Sequence, residues 1–276
     1  MTAIVAPANC GPAARPVTMV TLATRRTRGE RITMLTCYDA TFATLLSRCG
    51  VDVLLIGDSL GMVCQGHSST LSVTVADIAY HTRSVARGNQ AAMVLADLPF
   101  ASFSTPAEAF GNAARLMRAG AHAVKIEGGA WLGDTIRFMT ERGIPVCGHL
   151  GLMPQSIHQL GGYRIQGRAD QDAVKIKADA IALQDAGATL ILLEAIPATL
   201  GREITDALAI PTIGIGAGPG CTGQVLVLHD MLDLYAGVKP RFVRNFMNSQ
   251  PSIEAAITAF VSAVREGSFP AAEHCF

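Results

Sequence analysis

Three acids sit where chemistry is easiest to place. Asp58 follows the apolar run Val53–Ile56, Asp97 closes the run Met93–Ala96, and Glu127 closes Ala123–Ile126. If the three runs are neighbouring strands, the carboxylates meet at one edge and repel one another unless a cation lies between them. All-oxygen ligation suits a hard ion, Mg²⁺ first and Mn²⁺ second. Taken singly, either aspartate also fits as the N-cap of a following helix; three acids on consecutive runs favour the metal. Lys125 and Glu127 are two residues apart and so share one face of a strand. A lysine turned inward among acids is costly unless it is paired or meets an anionic ligand. It can hold a substrate carboxylate, form a Schiff base, or simply pair with Glu127. Glu194 ends a further run, Leu190–Leu193. A carboxylate shielded from water takes up a proton more readily, which suits a general base; a salt bridge or helix cap is the plainer alternative. His149 reads as a hydrogen-bonded structural residue or a substrate contact. Together these residues suit proton abstraction next to a carbonyl whose oxygen a metal holds. No H-E-x-x-H motif is present.

Eight short apolar runs could carry these residues: Ile32–Thr36, Val53–Ile56, Met93–Ala96, Ala123–Ile126, Pro145–Cys147, Leu190–Leu193, Thr212–Ile215 and Val225–Leu228. Most are rich in Val, Ile and Leu, as buried parallel strands are. Helical patterns fill the gaps, with Phe110, Ala114 and Met117 on one stripe and Ile176, Ala180 and Leu183 on another. Eight strands alternating with helices predict an α/β fold of the closed (β/α)₈ TIM-barrel type; periodicity alone leaves a doubly wound sheet as the alternative. In such a barrel the active site lies at the C-terminal strand ends. The polar residues expected at the mouth are Asp39, Asp58, Ser59, Asp97, Lys125, Glu127, His149, Glu194, His229 and Asp230. The glycines of Gly214-Ile215-Gly216-Ala217-Gly218 occupy a usual phosphate position or allow close backbone approach to some other ligand. The stretch Gly161 to Arg168 reads as a lid or as an ordinary surface loop.

The segments Arg48–Asp58, Arg118–Glu127 and Asp185–Glu194 echo one another: a glycine (Gly50, Gly120, Gly187) where a helix should end, then a strand, then an acid. Met19–Arg28 predicts a helix capping the barrel bottom, and Ile253–Val264 an amphipathic helix packed on the barrel or on another subunit. Residues 1–16 read as a disordered N-terminal extension and 17–276 as a single barrel domain. Half of the 276 residues are hydrophobic and 16% are charged, with a formal net charge of +0. A neutral chain without basic runs argues against nucleic acid and anionic membranes as partners. The seven cysteines are scattered and form no C-x-x-C pair, which reads as reduced thiols in the cytoplasm. No run reaches the roughly 18–20 apolar residues that a membrane span requires, and the start lacks the pattern of a signal peptide.

The strings Gly57-Asp58-Ser59-Leu60-Gly61, Gln65-Gly66-His67, Thr74 to Thr82, Ala96-Asp97-Leu98-Pro99-Phe100, Val124 to Gly129, Gly148 to Leu152, Gly161-Gly162-Tyr163 and Ile213 to Gly218 closely resemble the ketopantoate hydroxymethyltransferase family. The resemblance runs from about Ile32 to the C-terminal helix. It implies a barrel of the phosphoenolpyruvate/pyruvate superfamily type. It further implies transfer of a hydroxymethyl group from the co-substrate 5,10-methylenetetrahydrofolate to 3-methyl-2-oxobutanoate through a Mg²⁺-stabilised enolate. The product would be 2-dehydropantoate, on the route to pantothenate and coenzyme A. By the same resemblance Asp58, Asp97 and Glu127 form the site of one Mg²⁺ per subunit, with Glu127 reaching it through water in some members. Asp58, Ser59, Asp97 and Lys125 bind substrate, and Glu194 is the catalytic base. A metal enzyme has no need of the Schiff base, and the family commonly forms homodecamers. The chain departs from the pattern in its first residues, to about Pro16, and at Thr222, where an Asp is frequent. Rival readings are a lyase or mutase acting on another 2-keto acid, a Schiff-base aldolase using Lys125, and a barrel without catalysis.

Overall fold

The computed structural model describes residues 15–234, 237 and 239–276; most of the expected N-terminal extension lies outside them. Its strands are β1 (Ile32–Thr36), β2 (Val53–Ile56), β3 (Met93–Asp97), β4 (Ala123–Glu127), β5 (Val146–Gly151), β6 (Leu190–Glu194), β7 (Thr212–Ile215) and β8 (Gly223–Leu226). Each pairs in parallel with the next, and β8 pairs with β1, so the sheet closes. That excludes the doubly wound alternative. Every strand is flanked by the barrel interior on one face and by helices on the other, which is why nearly all strand residues are buried and why the runs read as continuously apolar.

β3, β4 and β6 each run one residue past their expected ends, to include Asp97, Glu127 and Glu194, and two strands depart further. β5 runs on through His149 to Gly151, because its polar residue faces a polar barrel end and does not break the ladder. β8 begins two residues early, where Gly223 pairs with Ile32. The apolar run then continues into a short helix at Leu228, whose N–H is taken by Thr36 Oγ1 at 2.9 Å. Hydrophobicity alone does not mark that boundary.

Helix Pro106–Arg118 buries Ala109, Ala113 and Leu116, with the expected Phe110, Ala114 and Met117 on the flank of that stripe. Helix Asp170–Asp185 buries Ala180 and Leu183 as expected, and Ile176 partly. The three echoed glycines all take positive φ, at 80°, 111° and 104°, just after their helices end. Helix Met19–Thr27 closes the bottom of the barrel: Arg26 donates to the Thr205 and Ala209 carbonyls at 2.7 and 3.0 Å, and Arg25 pairs with Asp52 at 2.7 Å. Helix Ile253–Glu266 buries Ile257, Phe260, Val261 and Val264 and packs beside β1. No helix among the described residues is long and apolar enough to cross a membrane.

Candidate active site

The register of the barrel builds the site. Asp97 lies opposite Lys125, Glu127 opposite His149, and Gly151 opposite Glu194. The polar side chains of β3 to β6 therefore stand at the same end. A cavity of about 600 Å³ opens there, lined by Asp58, Ser59, Asp97, Lys125, Glu127, His149, Glu194 and Asp230 among others. Asp39 and His229 are not part of the lining. Asp39 caps the next helix instead, accepting from the Phe42 N–H at 2.9 Å, and the His229 ring tilts against Tyr38. Asp58 falls on the first loop positions after β2, as the extra residue in its echo segment suggested.

Lys125 Nζ donates to Asp97 Oδ2 at 2.7 Å and to Glu127 Oε1 at 3.0 Å. His149 Nδ1 lies 3.0 Å from the same Glu127 Oε1. On its other side, His149 Nε2 is 3.2 Å from Glu194 Oε2, off the line that a hydrogen bond needs, so Nε2 keeps no hydrogen-bond partner among the described residues. Glu194 thus faces an imidazole, with 15% of its side chain exposed, and not the purely apolar setting expected for it. Burial would raise the Glu127 pKa, but Lys125 and then His149 outweigh it and hold the group at about 2. Burial likewise opposes charge on His149, and Glu127 overrides it, pushing the imidazole up to about 9. Lys125 follows the same logic: burial pulls it down, while Asp97, Glu127 and Asp58 together keep it well above its ordinary value. Its two carboxylate partners at 2.7 and 3.0 Å favour the charged ammonium.

Glu127 therefore meets both Lys125 and His149, Asp97 meets Lys125 alone, and no ion pair reaches Asp58 among the described residues. Burial and then Asp97 raise the Asp58 pKa well above the aspartate range; burial raises Asp97 too, against Lys125. The buried Asp97 Oδ1 has no hydrogen-bond partner among the described residues. Oxygens of Asp58, Asp97 and Glu127 lie within 4.8 Å of one another. Unmatched negative charge, an unpartnered oxygen and all-oxygen donors fit a hard divalent cation. Glu127 Oε1 accepts from Lys125 and faces His149, and Oε2 accepts from the Gln155 N–H at 3.1 Å.

Three features were not foreseen. Tyr38 is buried and lies 2.8 Å, hydroxyl to hydroxyl, from Ser59. Gln155 bonds to two of the acids. Phe242 and Phe276 line the cavity from the C-terminal part of the chain. Only Tyr38, two residues beyond the β1 run, had a signal that could have been read. In the Gly214–Gly218 run Ile215 lines the cavity, and a Cβ on Gly216, at φ +63°, would sit 2.7 Å from the Phe242 ring. These glycines make room for neighbouring side chains. Of the Gly161–Arg168 stretch, Tyr163, Arg164 and Ile165 wall the mouth. Thr222 lies at the opposite end, paired with Thr212, so its departure from the family pattern concerns the barrel bottom and not the acids.

The barrel resembles 2,3-dimethylmalate lyase, a member of the phosphoenolpyruvate mutase/isocitrate lyase superfamily, with TM-score 0.55, 16% identity, and coverage of 75% of this chain and 80% of that one. In sequence the chain is 60% identical over 262 residues to the 3-methyl-2-oxobutanoate hydroxymethyltransferase of Janthinobacterium sp. (strain Marseille), covering 95% of this chain and 96% of the relative. It is 58% identical to the enzyme of the same name from Ralstonia nicotianae, with the same coverage. The family model for ketopantoate hydroxymethyltransferase matches residues 16–272. With the acids, lysine and glutamate arranged around one barrel mouth and relatives matched over nearly their whole length, the chain belongs to the ketopantoate hydroxymethyltransferase family.

Proposed function

We propose that the protein transfers a hydroxymethyl group from 5,10-methylenetetrahydrofolate to C3 of 3-methyl-2-oxobutanoate, with water as the third reactant, giving 2-dehydropantoate and tetrahydrofolate. Asp58, Asp97 and Glu127 would hold Mg²⁺ between them. Bound there, Mg²⁺ supplies the positive charge that makes the C3 proton of a 2-keto acid acidic. Lys125 and Ser59 orient the carboxylate end of the substrate, Lys125 by charge and Ser59 through a hydroxyl that Tyr38 positions. Glu194 takes the proton from C3, with the His149 imidazole placed between it and Glu127. The carbon nucleophile so formed attacks the one-carbon unit. Glu194 need not be a strong base when the proton it removes is acidified.

The observation that carries this reading is the cluster of three buried carboxylates, with Asp97 Oδ1 unpartnered among the described residues, in a cavity that also holds Glu194. A five-carbon keto acid fills a small part of about 600 Å³. The outer wall adds Tyr163, Arg164, Arg241, Phe242 and Phe276, aromatic and cationic partners suited to a carrier with a ring and a carboxylate tail. Scattered cysteines and the absence of a signal-peptide pattern favour a cytoplasmic location, and family resemblance a homodecamer. The exposed Val20, Trp131 and Val174 are compatible with subunit contacts, and light scattering on the purified protein tests the assembly.

Purified protein incubated with both substrates and Mg²⁺ should yield 2-dehydropantoate by mass spectrometry, and none in EDTA. Product in EDTA would remove the metal from the mechanism. No product from folded protein in either condition would sink the substrate assignment.

A further inference from the structure

Gln155 lies on the short helical turn Pro154–Ser156 that follows β5, and only 6% of it is exposed. Its side-chain Nε2 donates to Asp58 Oδ2 at 3.0 Å and to the Leu98 carbonyl at 3.1 Å. Its backbone N–H donates to Glu127 Oε2 at 3.1 Å. Both partners of Nε2 act as acceptors here, so the amide orientation is settled. The buried Oε1 is left without a hydrogen-bond partner among the described residues. The fold accepts an unmatched acceptor while both amide and backbone N–H groups point at the acids. One residue thus grips two of the three carboxylates, and it stands at the head of the segment that supplies Leu152, Pro154, Tyr163, Arg164 and Ile165 to the cavity wall.

We propose that Gln155 is a positioning residue that sets Asp58 and Glu127 for the divalent cation and couples the seating of mouth segment 152–166 to that cation. The proposal rests on the metal reading above. Holding Asp58 by Oδ2 fixes the carboxylate and leaves Oδ1 for the ion, the usual work of a partner behind a metal ligand. Because the same residue touches both acids and belongs to the segment, cation binding and segment order must influence each other reciprocally.

The test uses the full chain without substrate. Gln155→Met keeps the side-chain length and the backbone N–H but removes the amide. Mg²⁺ affinity is measured by calorimetry, and hydrogen exchange is followed over residues 152–166 with and without saturating Mg²⁺. In the wild type, Mg²⁺ should slow exchange in the segment. The variant should bind Mg²⁺ about 10–100-fold more weakly and lose most of that slowing even at saturation. Gln155→Ala, which leaves space in place of a sulfur, should behave alike. Gln166→Met, at a residue whose side-chain Nε2 donates to the Arg164 carbonyl, should leave the affinity unchanged. Wild-type affinity in both Gln155 variants, or wild-type exchange indifferent to Mg²⁺, overturns this proposal alone. Failure of the wild type to bind Mg²⁺ overturns the metal reading and this proposal with it.

Discussion

At the bottom of the barrel Asp52 is 2% exposed, and at the mouth Asp58 and Asp97 are 4% and 0% exposed, yet the two ends treat buried charge differently. Asp52 Oδ2 accepts from the Thr33 N–H and hydroxyl, both at 2.9 Å, and pairs with Arg25 at 2.7 Å, while Oδ1 faces Arg265 at 3.5 Å. Both of its oxygens are engaged. At the mouth, among the described residues, Asp97 Oδ1 has no hydrogen-bond partner and no ion pair reaches Asp58, while Lys125 bridges Asp97 and Glu127. A saturated carboxylate ties helix Met19–Thr27 and the C-terminal helix to the barrel. An unsaturated one is costly to keep, and such cost is expected where something else is to be bound.

The comparison is broken or sharpened by mutation at the two ends. The largest effect is expected at Glu194. Glu194→Gln should reduce turnover about 10²–10⁴-fold with an unchanged thermal midpoint; full turnover in the folded variant would end its role as base. Next comes the cation. At a hundredfold excess over Kd, Mg²⁺ should add about 2.7 kcal/mol to wild-type stability, and Asp97→Asn should abolish most of that gain in a thermal melt. An equal gain in the variant would show that the ion binds elsewhere. At the bottom, Asp52→Ala should cost about 2 kcal/mol in denaturant melts, through the orphaned Thr33 N–H and freed arginines, while turnover per folded molecule stays at the wild-type level.

The smallest effect returns to the mouth. Burial raises the Asp230 pKa to about 6, against Lys239. The folded state therefore holds this proton more tightly than the unfolded chain, whose aspartates titrate near ~3.9. The stability linked to that proton is present below about pH 4 and is lost as pH rises through about 6. Asp230→Asn should remove this slope, gaining less than about 1 kcal/mol at pH 7 once solvent screening is allowed for and nothing at pH 4. A loss of stability at pH 7 would place Asp230 with the satisfied charges of the bottom.

What was legible in the sequence came from local rules. Strand alternation put Lys125 and Glu127 on one face, and the structure joins both to Asp97 or to each other through Lys125. The eight runs were countable because each strand of a closed parallel barrel is covered on both faces and so stays apolar. Asp58, Asp97, Glu127 and Glu194 were visible because acids at the ends of such runs have no reason to be there in an apolar core. Asp39 shows the limit of that rule: it stands after a strand like the others, but its side chain turned to a backbone N–H one helical turn away, a choice between cap and cavity that spacing does not reveal.

Tertiary structure alone decided which groups satisfy one another. Gln155 reaches Asp58 across 97 positions of sequence, and Phe242 and Phe276 close over Gly216 from beyond the last strand. His149 looked like a lone histidine until the register of β4, β5 and β6 set it between Glu127 and Glu194. Local sequence determines which face a side chain takes, because alternation along a strand is fixed by the backbone geometry of two residues. Which partner it meets depends on the closure of eight strands and the path of the loops between them, and those are set by the packing of the whole chain.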